Sequence, residues 1–308
     1  MGGCVSFYTA QLLLIFLAVS SSVVNCCPPS ERAALLAFKA ALHEPYLGIF
    51  NSWTGNDCCH NWYGVSCDQE THRVADINLR GESEDPIFQR AHRTGYMTGY
   101  ISPAVCKLTR LSSLTLADWK GITGEIPRCI SSIPFLRILD LIGNKLSGDI
   151  PRDIGRLHRL AVLNIADNNI SGAIPPSIAN LSSLMHLDLR NNRISGPIPG
   201  SVGRLRMMSR ALLSRNQISG TIPSSISMIY RLADLDLSMN QISAIDLAYN
   251  KLSGSIPRTL SAASYIGHLD FSHNYLCGRI PDGSPFDHLE ASSFAYNKCL
   301  CGKPLRAC

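Results

Sequence analysis

The chain has 308 residues, 45% of them hydrophobic, and its 28 Lys and Arg against 23 Asp and Glu leave a formal charge of +5. That balance is mild for the length and no run of Lys or Arg occurs, so a basic patch that binds nucleic acid or a membrane surface is not expected. The length allows one large domain or two smaller ones, and the pattern along the chain decides between them.

Residues 8 to 24, YTAQLLLIFLAVSSSVV, form an uncharged apolar run of signal-peptide length followed by polar sequence and cysteines. Residues 1–26 are read as a secretory leader cleaved near Cys26. The opening MGGCVS also fits an N-myristoylation pattern, with Gly2 as acceptor and Cys4 as a second acylation site. Against that alternative stands the cysteine layout, which suits an oxidising compartment. No second apolar run of spanning length follows, so neither a transmembrane anchor nor an attached kinase is expected. Of the 12 cysteines, Cys4 and Cys26 leave with the leader. Cys27, Cys58, Cys59 and Cys67 then gather before residue 72, and Cys277, Cys299, Cys301 and Cys308 gather at the close. A zinc site at Cys58, Cys59, His60 and Cys67 is the competing reading, disfavoured by adjacent cysteines and the compartment. No metal or other cofactor is expected.

From residue 73 to 281 one pattern recurs. Asn144, Asn168, Asn192, Asn216 and Asn240 stand 24 residues apart, and Gly148, Gly172, Gly196 and Gly220 keep the same step, as do Pro127, Pro151, Pro175, Pro199 and Pro223. The template L-x-x-L-x-L-x-x-N-x-[LI]-[ST]-G-x-I-P is a leucine-rich repeat of the plant-type variant. Each L-x-L is a short strand whose leucines point inward while the residues between them face solvent. The Asn at the following bend offers a donor and an acceptor to backbone groups buried between coils, so these asparagines are scaffold. One coil cannot bury its own apolar edge, and the cysteine clusters lie where a stack of coils needs caps. The expected architecture is an α/β, right-handed leucine-rich repeat solenoid, with short parallel strands on the concave face and disulfide-capped ends. It divides into an N-terminal cap at 27–72, repeats at 73–281 and a C-terminal cap at 282–308, and is expected to be monomeric. Cys106 and Cys129, about one coil apart on the return side, are expected to staple neighbouring coils.

Function is sought on the concave face. The position between the strand leucines reads Thr115, Asp140, Asn164, Asp188, Leu212, Asp236, Asp246 and Asp270, an acidic stripe. Beside it stand His186, Arg190, Arg210, Arg215, His268 and His273, with Trp119 and Tyr249 as candidate aromatic anchors. Mixed charge with a few aromatics suits a protein or peptide partner, charge steering the approach and buried aromatics supplying affinity. The competing reading is a solvated surface with no partner. No base, nucleophile or metal partner stands beside these histidines in sequence, so no catalytic site is expected.

Three local features remain. Residues 82–96 are an insertion near the first coil, either a binding loop or a cover for the N-terminal coils. Asn169 and Asn180 open glycosylation sequons. Asn240 is followed by another ladder Asn at Asn250, a step of 10 where neighbouring steps are 24. Ala244 and Asp246 then stand where the template has Gly and Ile, so an irregular join is expected at 238–246, reflecting either a real deletion or a gene-model error.

The segments ERAALLAFKAAL, FNSW and DCCHNWYGVSCD resemble the plant leucine-rich repeat N-terminal cap, and LCGRIP with SFAYNKCLCGKPLRAC resembles the matching C-terminal cap, as in polygalacturonase-inhibiting proteins. RGESEDPIFQRAHRTGYMTGYISPAVC, LTLADWKGITGEIP and PFDHLEASSF resemble the plant DNA-damage-repair/toleration leucine-rich repeat proteins. This resemblance implies disulfides Cys27–Cys58, Cys59–Cys67, Cys277–Cys299 and Cys301–Cys308. The favoured function is a secreted, non-catalytic interaction module of the cell wall or apoplast, binding a protein or peptide on the concave face. An inhibitor of a microbial polygalacturonase or another wall-degrading enzyme is the alternative. A DNA-damage tolerance factor, as the family name suggests, is the third, and no sequence feature supports DNA binding.

Overall fold

A computed structural model of the chain describes residues 27–82, 86–237, 239–246, 253–256, 258, 268–283 and 286–308. The expected leader and Tyr249 lie outside the described residues.

The N-terminal cap is built on the helix Pro29–Ala40, which buries Glu31, Ala34, Leu35 and Phe38, the i, i+3, i+4, i+7 spacing of one helix face. Glu31 is a buried carboxylate, and it is matched: its oxygens accept from Arg73 Nε at 2.6 Å and Val74 N at 2.8 Å. That contact ties the helix to the first repeat strand. Trp53 and Trp62 stack at 5.2 Å beneath it. Cys27–Cys58 and Cys59–Cys67 close the cap, so the sulfurs of Cys58, Cys59 and Cys67 are consumed in disulfides and are not available to a zinc ion.

Beyond the cap, Val74–Arg80, Ser113–Ala117, Ile138–Asp140, Val162–Asn164, His186–Asp188, Arg210–Leu212 and Asp234–Asp236 pair in parallel, and Val65–Cys67 closes the cap edge antiparallel. Inward residues stack in register, Leu114 on Leu139, Leu163, Leu187, Ala211 and Leu235. Leu114, Leu139 and Leu163 are buried, so each coil is covered by its neighbours rather than by its own chain.

The bend after each strand follows one recipe. Asp167, Asn191, Arg215 and Met239 sit at φ 52 to 56°, and the next residue is the ladder Asn. Oδ1 of Asn168, Asn192, Asn216 and Asn240 accepts from the amides of Leu146, Ile170, Ile194 and Ile218 at 2.9 to 3.0 Å. Their Nδ2 groups donate to Leu141, Ile165, Leu189 and Leu213 carbonyls of the preceding coil at 2.9 to 3.0 Å. The template Gly is needed because the chain then turns through positive φ, 69° at Gly172 and 73° at Gly196, where a Cβ is strained. The segments after the ladder pair coil to coil as a second parallel sheet, including Ser195–Gly196 with Gln217–Ile222. The return path carries short 3-10 turns that stack on one another, with Ser177 Oγ donating to Arg152 O at 2.6 Å and Ser225 Oγ to Gly200 O at 2.7 Å. Cys106–Cys129 joins two of these turns.

The short step changes the sheet. Gln241–Asp246 pairs on one edge with Gln217–Ile222, slipping register by one residue after Gly220, and on the other with His268–Asp270. One strand therefore does two tasks: its start belongs to the second sheet, and its end receives the next coil's L-x-L strand. The return path between them is missing from the sequence, so the chain cannot cross back to the concave sheet, whose last strand is Asp234–Asp236. Leu235 and Leu232 there are only partly buried.

At the C-terminal end Phe271, Phe286 and Phe294 fill the last coil, with centroids 6.2 and 5.7 Å from Phe271. Asn297 takes over the ladder role, donating to Phe271 O at 2.9 Å and accepting from Leu276 N at 3.0 Å. Cys277–Cys299 and Cys301–Cys308 close the cap.

Candidate functional site

Strand register brings Thr115, Asp140, Asn164, Asp188, Leu212 and Asp236 into one column. A neighbouring column holds Ile138, Val162, His186, Arg210 and Asp234. The acidic stripe is not a free one. Asp140 is buried, its Oδ2 accepting from Arg80 NH2 at 2.6 Å. Asp188 accepts from Arg190 Nε at 2.9 Å and NH2 at 2.6 Å, since residues two apart on a strand share a face. That hydrogen bond holds the Arg190 guanidinium pKa above its ordinary value, with the nearby charges of Asp188, Asp167 and Asp236 adding to it. Arg210 pairs with Asp234, directly opposite in register, at 3.2 Å. Asp236 is half-buried and also engaged. The carboxylates thus meet cations of the same face before any ligand arrives.

Several expected site residues are relocated. Trp119 is fully buried and is no surface anchor. Its Nε1 donates to Leu79 O at 3.0 Å, Phe88 of the insertion packs 6.5 Å from its ring, and Gly95 passes so close to the ring that a Cβ has no room. The insertion, with its helix Pro86–Ala91, therefore lies over this tryptophan. Asp246 and Asp270 leave the concave column because their strands continue the second sheet past the join. Asp270 Oδ1 accepts from Ser272 N at 2.8 Å. His268 lies on that same strand, and nothing of its side chain falls within the described set. His273 occupies the left-handed position before Asn274, at φ 54°, and stacks on Tyr296 at 4.1 Å. Arg215 occupies the equivalent bend and is exposed. Of the sequons, Asn180 is exposed at the end of the turn Pro176–Asn180, whereas Asn169 is half-buried and its amide donates to Leu146 O at 2.7 Å.

The open part of the face is more apolar than the sequence suggests. Ile138 and Met185 are 37% and 41% exposed, and Val162, between Ile138 and His186, and Leu212, between Asp188 and Asp236, are partly exposed. Their signal was present, since they occupy outward positions of the repeat, but attention to charge passed over them. At the N-terminal end of the face a polar cluster gathers Arg80, Glu82, Asp118, Lys120 and Asp140. Lys120 Nζ donates to Glu82 Oε1 at 2.7 Å, and burial, then the Glu82 charge, raise the Asp118 carboxyl above the usual value.

Family models match residues 28–68 as a leucine rich repeat N-terminal domain and residues 135–157 and 158–218 as leucine rich repeats. Among curated proteins, the DNA damage-repair/toleration protein DRT100 of Arabidopsis thaliana is 62% identical over 140 residues, covering 45% of this chain and 37% of that one. A polygalacturonase inhibitor of Vitis vinifera is 33% identical over 135 residues, covering 43% and 36%. The matched stretch thus spans less than two fifths of each of these relatives. Among solved structures, the ectodomain of the Arabidopsis receptor kinase HAESA, in complex with an IDA peptide hormone ligand, superposes with a TM-score of 0.59 at 27% identity, over 87% of this chain and 49% of that one. The ladder, the stacked strands and these matches agree: the chain carries leucine-rich repeats, headed by a leucine rich repeat N-terminal domain.

Proposed function

We propose that the protein is a secreted, non-catalytic binding module of the cell wall or apoplast that receives an extended protein or peptide segment on its concave face. One observation carries the reading: along the stacked concave strands Ile138 and Met185 are exposed and Val162 and Leu212 partly exposed, among carboxylates that are already engaged. Such a face favours a ligand with apolar anchors and a polar rim over a strongly basic one. Similarity to a peptide-binding receptor ectodomain supports the same use of the fold.

The test is capture by the immobilised mature domain, comparing Met185→Asp with Lys145→Gln, an exposed change on the second-sheet side. Loss of a captured partner with Met185→Asp alone supports the reading. Capture indifferent to Met185→Asp rejects the concave site. Compartment is tested separately, by N-terminal sequencing of the secreted product. A chain beginning near Cys27 supports secretion, and an intact myristoylated Gly2 in a cytosolic pool rejects it. The likeness to polygalacturonase inhibitors carries a second reading, inhibition of a wall-degrading enzyme. Fungal polygalacturonases unslowed by excess protein dispose of it.

A further inference from the structure

The return flank of the solenoid, opposite in charge to the concave column, carries a basic surface. Six successive coils contribute the segments 107–112, 132–137, 156–161, 180–185, 204–209 and 228–233, and none contains an Asp or Glu. Arg110, Arg137, Arg159, Arg204, Arg206 and Arg231 are all exposed there. Of the acids that border these segments, Asp153 lies 3.8 Å from Arg156 and Asp234 pairs with Arg210, and among the described residues none of those six arginines forms an ion pair. The cations are spread one or two per coil over five of these coils, with none in 180–185, so no run marks them in the sequence, yet stacking sets them in one row interrupted at that coil. At about 4.8 Å per coil, Arg110 to Arg231 spans roughly 24 Å. Part of the row is held in place in advance. Phe135 lies between two guanidinium groups, Arg110 at 4.6 Å and Arg159 at 4.7 Å from its ring centroid, which lowers the entropy lost when they meet an anion.

The geometry points to this flank as a binding surface for a linear acidic polysaccharide, a polymer with carboxylates at regular short intervals. A shallow row of cations, in two groups on either side of coil 180–185, matches such a chain along its length. Single-stranded nucleic acid calls for open aromatic faces on which bases stack. Phe135 has two arginines over its ring, and Tyr230 at the last coil has Arg231 at 6.0 Å from its ring centroid. Duplex readout calls for a helix or ribbon that enters a groove, and the flank consists of 3-10 turns such as Ile154–Arg156 and Val202–Arg204 with the loops after them. An acidic protein partner calls for central apolar anchors, which lie on the concave face instead. This surface borders the concave face at Arg137 and Met185, and the variants that test it leave the concave residues unchanged.

The probe is sodium polygalacturonate, immobilised and titrated with the mature protein in an Asn180→Gln background, so that a sugar on that exposed residue of the same row cannot mask it. Binding should weaken about tenfold or more between 50 and 200 mM salt, the dependence of multiple charge contacts. The triple variant Arg159→Gln, Arg204→Gln, Arg206→Gln should weaken binding about tenfold or more at low salt with an unchanged circular dichroism spectrum and a shallower salt slope. Fully methyl-esterified polymer should not bind. Equal binding of the esterified polymer, indifference to the triple variant, or tighter retention of a single-stranded oligonucleotide or of polyglutamate would each overturn the assignment.

Discussion

The ladder asparagines are chemically alike in sequence and unlike in what their loss should cost. In Asn192→Ala the Ile170 amide loses its acceptor, Asn192 Oδ1 at 2.9 Å, and is left as a buried donor without a partner. The three carbonyls that received Asn192 Nδ2 keep other donors: Ile165 O has Asn168 Nδ2 at 3.2 Å, Leu189 O has Asn216 Nδ2 at 2.9 Å, and Arg190 O has the Asp167 amide at 2.9 Å. One orphaned group at 1 to 3 kcal/mol plus the weakened carbonyls gives about 3 kcal/mol. Asn144, first in the ladder, differs, because its Oδ1 is buried without a partner. Two of its three acceptors, Leu141 O and Ile142 O, are also served by Asn168 Nδ2 at 3.0 Å and the Asp118 amide at 2.7 Å. Asn144→Ala should therefore cost about 1 kcal/mol. Repeat arrays need not unfold in one step, so the assay is urea denaturation with disulfides intact, joined to amide exchange at Ile170. That amide should exchange markedly faster in Asn192→Ala and little changed in Asn144→Ala. Equal losses of stability, or an Ile170 amide unmoved by Asn192→Ala, would refute the hydrogen-bond accounting.

Asp118→Asn should flatten part of the pH dependence of stability. The folded pKa lies above the unfolded one, so as pH rises from about 3.8 through the folded value the native state keeps a proton the unfolded chain has released, and stability falls. Denaturation midpoints measured from pH 4 to 7 should fall less with rising pH in the variant, whose Asn suits the φ of 61°; an unchanged profile counts against the burial. Trp119→Ala should destabilise by about 3 to 5 kcal/mol and expose the Leu79 carbonyl, read by urea midpoint, and a loss under about 1 kcal/mol would mean that the insertion does not pack on this ring. Amides of His268–Asp270 should exchange faster than those of Val162–Asn164 and His186–Asp188, since among the described residues His268–Asp270 ends its sheet whereas the latter two strands are paired on both sides. Equal protection across the join would show the short step is tolerated without loss.

The repeat was legible because stacked coils make a one-dimensional problem: a residue's neighbours are those 24 positions away, and apolar, Asn and Gly positions follow from that alone. Ion pairs within the face were legible in the same terms. Arg210 and Asp234 are one period apart, and Asp188 and Arg190 share a strand face. The Arg80–Asp140 contact was not, because it depends on a long side chain reaching over an intervening strand. Trp119 was misjudged for a related reason. It follows the positive-φ Asp118, where later coils place the buried ladder Asn, and its Nε1 donates to Leu79 O as Asn144 Nδ2 donates to Leu116 O, while the insertion, which no period describes, packs on its ring.

The join shows where periodic reasoning stops. Counting predicted that something must be irregular between Asn240 and Asn250, but counting treats the missing residues as a gap in one sheet. The physical requirement is that every strand edge find a partner. The second sheet offers the free edge of Gln217–Ile222 close at hand, whereas the concave sheet lies a return path away. Pairing at the nearer edge satisfies the Gln241–Asp246 backbone at once, and the following coil must then build on that strand's other edge. The acidic column divides for this reason, with Asp236 ending one sheet and Asp246 and Asp270 standing in another. A ligand surface that depends on a continuous concave column can therefore extend no further than Asp236, and the exposed apolar positions from Ile138 to Leu212 lie within that limit.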